Sequence, residues 1–203
     1  QLEANTKEIV KNGKIVKNTA ISTLPNPLAL NFYVLGYDAN QHLVALNQAV
    51  KQNLKTYLSQ YRILTYAINI KDAYTENISY RFSIITQRGF NKNEVLLKAI
   101  ESVKKYFDIK KWQIGQPIIL SDIAYAISLV DGVASIVPPG DDNPQKQMVV
   151  IENEWQTESG YSGHVYDLQS ATKDGVIYPS LDPCIFELKF PNTDIQGRVV
   201  GDV

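Results

Sequence analysis

The sequence has little of the chemistry on which most catalytic and metal sites depend. Its 203 residues include one cysteine, Cys184, and two histidines, His42 and His164. A single cysteine excludes an internal disulfide, and one cysteine with two distant histidines gives no zinc-ligand spacing. Neither GxGxxG nor GxxxxGKS occurs, so no glycine-rich phosphate loop is expected. We therefore predict no cofactor and no metal site.

Strong charge of one sign and long apolar runs are also missing. Lys and Arg number 20, Asp and Glu number 21, and the net charge is −1. This balance gives no electrostatic footprint for nucleic acid or for an anionic membrane. No apolar run approaches the ~20 residues that cross a bilayer. A short basic run, Lys104 to Lys111, is interpreted as a solvated helix end and loop. Neither nucleic acid nor membrane is predicted as a partner.

A catalytic triad can be written down but is not favoured. Ser162, His164 and Asp167 fall within six residues, in a segment with no nucleophile elbow. We interpret His164 as a partly exposed histidine in a glycine-rich turn, and we predict that the chain is not an enzyme.

Hydrophobic periodicity predicts an ordered series of elements between residues 28 and 137. Alternation predicts a strand at 28–35, and spacings of three and four predict a helix over 43–61. Two alternating runs, 62–71 and 78–87, predict an antiparallel hairpin with a loop at "DAYTEN". Asn91 and Glu94 predict the start of a second helix, and Ser121 and Gly132 the start and end of a third. A last strand is predicted at 133–137.

This order is that of a ferredoxin-like split βαβ sandwich, an α+β fold with helices on one face of a four-stranded antiparallel sheet. The predicted covered face consists of Leu64, Ile68, Ile70, Phe82 and Ile84. "PPGDDNPQKQ", at 138–147, is the clearest boundary. We predict an N-terminal arm over 1–27, a ferredoxin-like domain over 28–139 and a β-rich C-terminal segment over 140–203. Because the first residue is Gln1 rather than Met, we expect a piece of a longer chain.

An RNA- or DNA-binding module is the alternative, because the same topology hosts RNA-binding domains. Such a sheet stacks bases on exposed aromatic residues. Here Tyr66, Tyr80 and Phe82 share a face with aliphatic residues, so we expect them to be buried.

Two stretches resemble a known family. They are "LNFYVLGYDANQHLVALNQAVKQNLKTYL" and "NKNEVLLKAIESVKKYFDIKKWQIGQPIILSDIAYAISLVDGVASI". The pattern N-E-V…Y-F, then W…I-G-Q-P-I…S-D-I…V-D-G-V, is similar to the baseplate J-like family of contractile-tailed phages. The resemblance covers Leu28 to Val137 and is more specific in its second half.

The resemblance implies a structural protein of the virion, located in the tail baseplate and assembled in the host cytoplasm. Its implied partners are a second copy, as a homodimer, and other baseplate wedge proteins, joined in a ring around a central hub. The family carries no catalytic or cofactor residues. Interfaces favour aromatic anchors, so part of the β-rich tail is predicted to contact a partner, unless it folds back on its own sandwich. The candidate interface residues are Trp155, Tyr161, Tyr166, Ile177 and Tyr178.

Overall fold

The computed structural model describes residues 8–11, 14–17, 29–61, 67–140 and 146–203. The chain is of mixed α and β class, as predicted. Its strands are β1 (Glu8–Lys11), β2 (Lys14–Lys17), β3 (Ala29–Val34), β4 (Gly36–Tyr37), β5 (Leu43–Val44), β6 (Ala67–Asp72), β7 (Tyr74–Thr86), β8 (Ile118–Ile119), β9 (Val133–Val137), β10 (Val149–Asn153), β11 (Thr172–Lys173), β12 (Val176–Ile177), β13 (Cys184–Glu187) and β14 (Ile195–Asp202). Its helices are α1 (Gln48–Ser59), α2 (Lys92–Tyr106), α3 (Leu120–Ser128), α4 (Leu168–Ala171) and α5 (Pro191–Asp194).

The chain divides into two compact units. The first takes in Gln1–Phe32 and Gln48–Ile70, and the second takes in Tyr33–Asn47 and Lys71–Val203. In the first unit β1 and β2 form an antiparallel pair, so the predicted N-terminal arm contains two strands. The same unit holds α1 and the larger parts of β3 and β6, which pair with each other.

The second unit is built around β7, whose 13 residues run through the middle of a five-stranded mixed sheet. Tyr80 pairs with Ile151 of β10 on one edge and with Ile195 of β14 on the other. Antiparallel β9 and β10 lie end to end along the first edge, and parallel β13 and β14 follow one another along the second. Strands on both edges explain why most of β7 is buried.

Helices α2 and α3 supply the other half of the hydrophobic core. Ser102 Oγ of α2 donates to the carbonyl oxygen of Ala126 in α3 at 3.0 Å, so the two helices pack closely. The core combines residues of β7, α2 and α3, including Ile78, Tyr80, Phe82, Ile84, Val95, Ala99, Val103, Ile123 and Ile127. Phe82 and Ile84 are buried as predicted, and Tyr80 is buried with them rather than exposed for base stacking. Ile68 is also buried, Ile70 only partly, and Leu64 and Tyr66 lie outside the described residues.

The local signals around α2 and after α3 are confirmed. The Asn91 side chain caps α2 by accepting from the backbone N–H groups of Asn93 and Glu94. Glu94 pairs with Lys98 at 2.7 Å along the helix. Gly132 follows α3 with φ of 91°, the left-handed conformation that the sequence predicts there. Strand β9 has the predicted bounds.

The predicted hairpin is wrong. β6 ends at Asp72 and β7 begins at Tyr74, so the expected loop "DAYTEN" is itself almost entirely strand. β6 pairs with β3, whereas β7 pairs with strands from the C-terminal part of the chain. The predicted four-stranded antiparallel sheet is therefore replaced around β7 by a mixed sheet. The sequence predicted a loop here because Glu76 and Asn77 are polar. In the structure both side chains are buried.

Two predicted helix starts are also wrong. Helix α1 begins at Gln48, five residues after the predicted start at 43. Ahead of it, Asp38 Oδ1 accepts from the N–H groups of Asn40 and His42 and closes a turn. Leu43, assigned to the helix by its spacing, lies in β5 and is buried. In α3 the residue before the helix is Ile119, not Ser121, and its side chain makes no capping bond.

The boundary predicted at 138–147 does not separate two independent sheets. β9 precedes it and β10 follows it, and both pair with β7. The β-rich segment over 140–203 supplies three of the five strands of the central sheet, β10, β13 and β14. Within this segment the stretch "GHVYDLQ" is irregular and leads into α4.

Candidate functional site

A cavity of about 660 Å³ in the second unit lies beside the start of β7. One part of its wall comes from Tyr33, Leu35 and residues 43–45, and another part from Ser162 and His164. Lys71, Asp182 and Lys189 add charge to its lining. A sizeable concave site with convergent polar groups is the default place to look for binding or catalysis.

The Glu187 carboxylate, which belongs to the lining of this cavity, already has hydrogen-bond partners within the fold. Glu187 accepts from the backbone N–H of Leu43 and from Nδ2 of Asn77, each at 2.8 Å. Asn77 Oδ1 in turn accepts from the N–H of Ser162 at 2.7 Å. Burial raises the pKa of Glu187, and the two donors oppose that shift. The Glu187–Asn77 pair therefore ties Leu43 and Ser162, one from each part of the cavity wall, to the central sheet.

Glu76 is the buried carboxylate that lacks this support. Its side chain is 6% exposed, and its Oε2 has no hydrogen-bond partner within the part of the chain that the structure describes. Burial raises the pKa of Glu76, and His164 acts in the opposite direction. The His164 ring itself packs edge-on against Tyr74 with ring centroids 5.1 Å apart. Glu76 therefore lowers stability when it is ionised.

Replacing Glu76 with glutamine should stabilise the protein, and more so at neutral than at acidic pH. Because the folded-state pKa of Glu76 lies above its ordinary value of 4.5, the wild type loses stability as pH rises through that folded-state pKa. Glu76→Gln removes this loss, with a gain of roughly 1 kcal/mol near pH 7, because a neutral amide replaces a buried charge. Urea denaturation of both proteins from pH 4 to about pH 8 measures the difference.

The matched control is Glu158→Gln, at an exposed position in the turn Thr157–Ser159. It should leave the pH dependence of stability unchanged. A stability gap between wild type and Glu76→Gln that shrinks as pH rises would contradict the role assigned to Glu76.

The serine, histidine and aspartate of the possible triad have other partners. Asp167 caps α4 by accepting from the N–H of Ser170 at 3.0 Å. Ser162 Oγ accepts from the backbone N–H of His164 at 3.3 Å. No hydrogen bond within the described ranges joins the His164 ring to Ser162 or Asp167, so these residues are not arranged as a proton relay.

Other reactive groups are equally dispersed in the described residues. They contain no cluster of three or more His, Cys, Asp or Glu side chains that could hold a metal ion. The thiol of Cys184 is buried, and burial raises its pKa, which disfavours the nucleophilic thiolate. None of the described helices is both long and apolar enough to cross a bilayer.

The five predicted interface residues fall into three environments. Trp155 and Tyr178 are each 51% exposed, which suits a contact surface. Ile177 is 2% exposed and belongs to the core, so it offers no surface to a partner. The hydroxyl of Tyr161 donates to Asp194 at 2.6 Å, and that of Tyr166 donates to the carbonyl of Tyr178 at 2.9 Å. These two tyrosines mainly hold the C-terminal loops in place.

Sequence reasoning missed a second group of exposed apolar side chains. Leu97 of α2, Tyr125 of α3 and Leu129 just after it are each 63–65% exposed. A groove of about 410 Å³ beside them is lined by Ser102, Lys105, Tyr106, Ala126, Leu129 and Val130. Leu181, in the C-terminal part, is completely exposed. The available signal was apolar residues outside the buried stripe of each helix, at positions 97, 125 and 129.

No family model matches the sequence, and no curated protein matches it either.

Proposed function

We propose that this chain is a structural subunit of a contractile phage tail baseplate. It would belong to the wedge, corresponding to the C-terminal portion of the large wedge protein of T-even-type baseplates. In this role it associates with a second copy and with other wedge proteins, and connects neighbouring wedges into a ring around the hub. The resemblance of residues 28–137 to baseplate J-like sequences motivates the proposal. The ending "IFELKFPNTDIQGRVVGDV" adds to it, because it resembles the end of that wedge protein.

One observation carries the proposal physically. The polar groups in the main cavity, Glu187 and Asn77, bond to backbone and side-chain groups that hold loops in place. At the same time Trp155 and Tyr178 remain half exposed on the C-terminal segment. Polar groups used for rigidity and aromatic groups left on the surface suit a subunit that recognises other subunits.

The ferredoxin-like arrangement predicted from the element order belongs to the same proposal. The burial of one face of β7 against α2 and α3 supports it. The strand neighbours of β7 differ from that arrangement. The alternative of a nucleic-acid-binding module has less support, because Tyr80 and Phe82 are buried and unavailable for stacking on bases.

Self-association of the purified chain is the first expected result. Light scattering should give a mass that rises with concentration above that of the 22.8 kDa monomer. The double variant Trp155→Ser/Tyr178→Ser should weaken association roughly tenfold or more, the effect of losing anchor residues worth more than 1 kcal/mol. Both side chains are half exposed, so the fold should tolerate their loss.

Tyr37→Ser is the matched control, since Tyr37 is 56% exposed but lies outside the C-terminal segment. It should associate as the wild type does. A wild type that stays monomeric at high concentration would contradict self-association. A salt-sensitive shift with DNA or RNA would favour the alternative.

A further inference from the structure

Leu181 forms an apolar projection on the loop 178–183 between β12 and β13. We call this loop the tip, and hydrogen bonds hold it in place. Leu181 lies between Pro179 and Pro183 and is completely exposed. The N–H of Asp182 donates to Ser180 Oγ at 3.2 Å within the tip. At the base of the tip the N–H of Tyr74 donates to the carbonyl of Pro183 at 2.9 Å. Because the backbone of the tip is already constrained, binding through Leu181 would cost little additional backbone freedom.

The groove between α2 and α3 is an open, mostly apolar depression. Small residues, Ser102 and Ala126, meet at its floor through the 3.0 Å hydrogen bond between the helices. Leu129 and Val130 give it an apolar side, and Leu129 is 64% exposed. An apolar side chain entering here would cover surface that α2 and α3 leave in contact with water.

Charge matches across the two features. Lys105 is the charged residue in the groove lining, and it is exposed. Asp182, next to Leu181, is exposed as well. Neither Lys105 nor Asp182 forms an ion pair within the described residues. The chain therefore carries an apolar projection beside the acidic Asp182, and an apolar groove beside the basic Lys105.

We propose that Leu181 of one copy inserts into the α2–α3 groove of another copy, with Asp182 beside Lys105. This inference rests on the self-association proposed above and adds to it a second contact, beside the one expected at Trp155 and Tyr178. The complete exposure of Leu181 shows that it does not occupy the groove of its own chain. Two different surfaces therefore meet, and such head-to-tail contacts generate rings when the rotation closes and filaments when it does not.

Complementation between two damaged copies tests this geometry. Leu181→Asp removes the projection and keeps the groove, whereas Leu129→Asp damages the groove and keeps the projection. Both side chains are largely exposed, so both variants should fold, and circular dichroism checks that they do. Each variant alone should lose the contact, with a dissociation constant roughly tenfold weaker or more, as for other anchor residues. A labelled Leu181→Asp copy titrated with Leu129→Asp should bind about as tightly as wild-type copies bind each other, because one intact contact remains.

Val165→Asp is the matched control, since Val165 is 66% exposed and belongs neither to the groove lining nor to residues 179–183 around Leu181. It should associate like the wild type. If the wild type associates but the two variants do not complement each other, the head-to-tail contact is refuted and self-association stands. If Leu181→Asp associates as tightly as the wild type, the contact between Leu181 and the α2–α3 groove is likewise refuted, while self-association stands. A wild type that remains monomeric refutes self-association itself.

Discussion

Replacing Glu187 with alanine should lower the free energy of unfolding by about 3 kcal/mol, since it removes two buried hydrogen bonds to a charged group. The side chain is 3% exposed and accepts from Leu43 N–H and Asn77 Nδ2. In the variant both donors stay buried without their acceptor. The raised pKa of Glu187 shows that burying its charge costs free energy. The alanine variant avoids that cost, which offsets part of the destabilisation but not the whole of it. Urea denaturation monitored by tryptophan fluorescence measures the change.

Glu187→Gln should fall between wild type and alanine. Glutamine keeps one oxygen acceptor but presents an amide group to the other donor. Asn77 cannot rotate its amide to compensate, because its Oδ1 is engaged by the N–H of Ser162. Glu158→Ala, at an exposed position, should change stability by less than about 0.5 kcal/mol. Equal stability of Glu187→Ala and wild type would show that this carboxylate does not hold the cavity walls.

The second large effect is expected at Gly132, where alanine should cost about 3 kcal/mol from backbone strain and overpacking together. Gly132 has φ of 91°, a backbone conformation that residues with a side chain rarely adopt. A Cβ there would lie 2.6 Å from Val95 Cγ2 and 2.7 Å from Phe90 Cδ1. Val95 is buried in the core, so it has little room to move. Thermal unfolding should show a fall in Tm of several degrees.

Gly115 provides the matched control. At its φ of 78° an alanine would be strained to a similar degree, but its Cβ would meet nothing within 4 Å. Gly115→Ala should therefore cost about 1 kcal/mol, the strain alone. The difference between the two variants isolates the contact with Phe90 and Val95. If Gly115→Ala and Gly132→Ala destabilise equally, close packing at Gly132 contributes nothing.

Local signals were predictable where neighbouring residues alone decide the conformation. Asn91 caps α2 because its side chain reaches N–H groups two and three residues ahead. Gly132 ends the α3 region because no other residue adopts positive φ as easily. The buried stripe of α2, with Val95, Ala99 and Val103, follows from helical spacing. None of these needs information from distant parts of the chain.

The candidate site was beyond such reasoning because its contacts are long-range. Glu187 meets Leu43 across 144 positions of sequence and Asn77 across 110. Nothing near Glu76 or Asn77 indicates that these polar residues are buried, so "DAYTEN" resembled a loop. Trp155 and Ile177 also look alike as apolar residues in a β-rich tail, yet one is exposed and the other belongs to the core.

By itself, the sequence determined the mixed class, the two main helices of the core and the strand after Gly132, because periodicity and capping act within a few residues. Only the tertiary structure decided that β7 pairs with β13 and β14, and that the buried Glu187 carboxylate lines a cavity beside it. Pairing of distant strands depends on which surfaces cover each other after folding. That choice is made by burial across the whole unit and leaves no local mark in the chain.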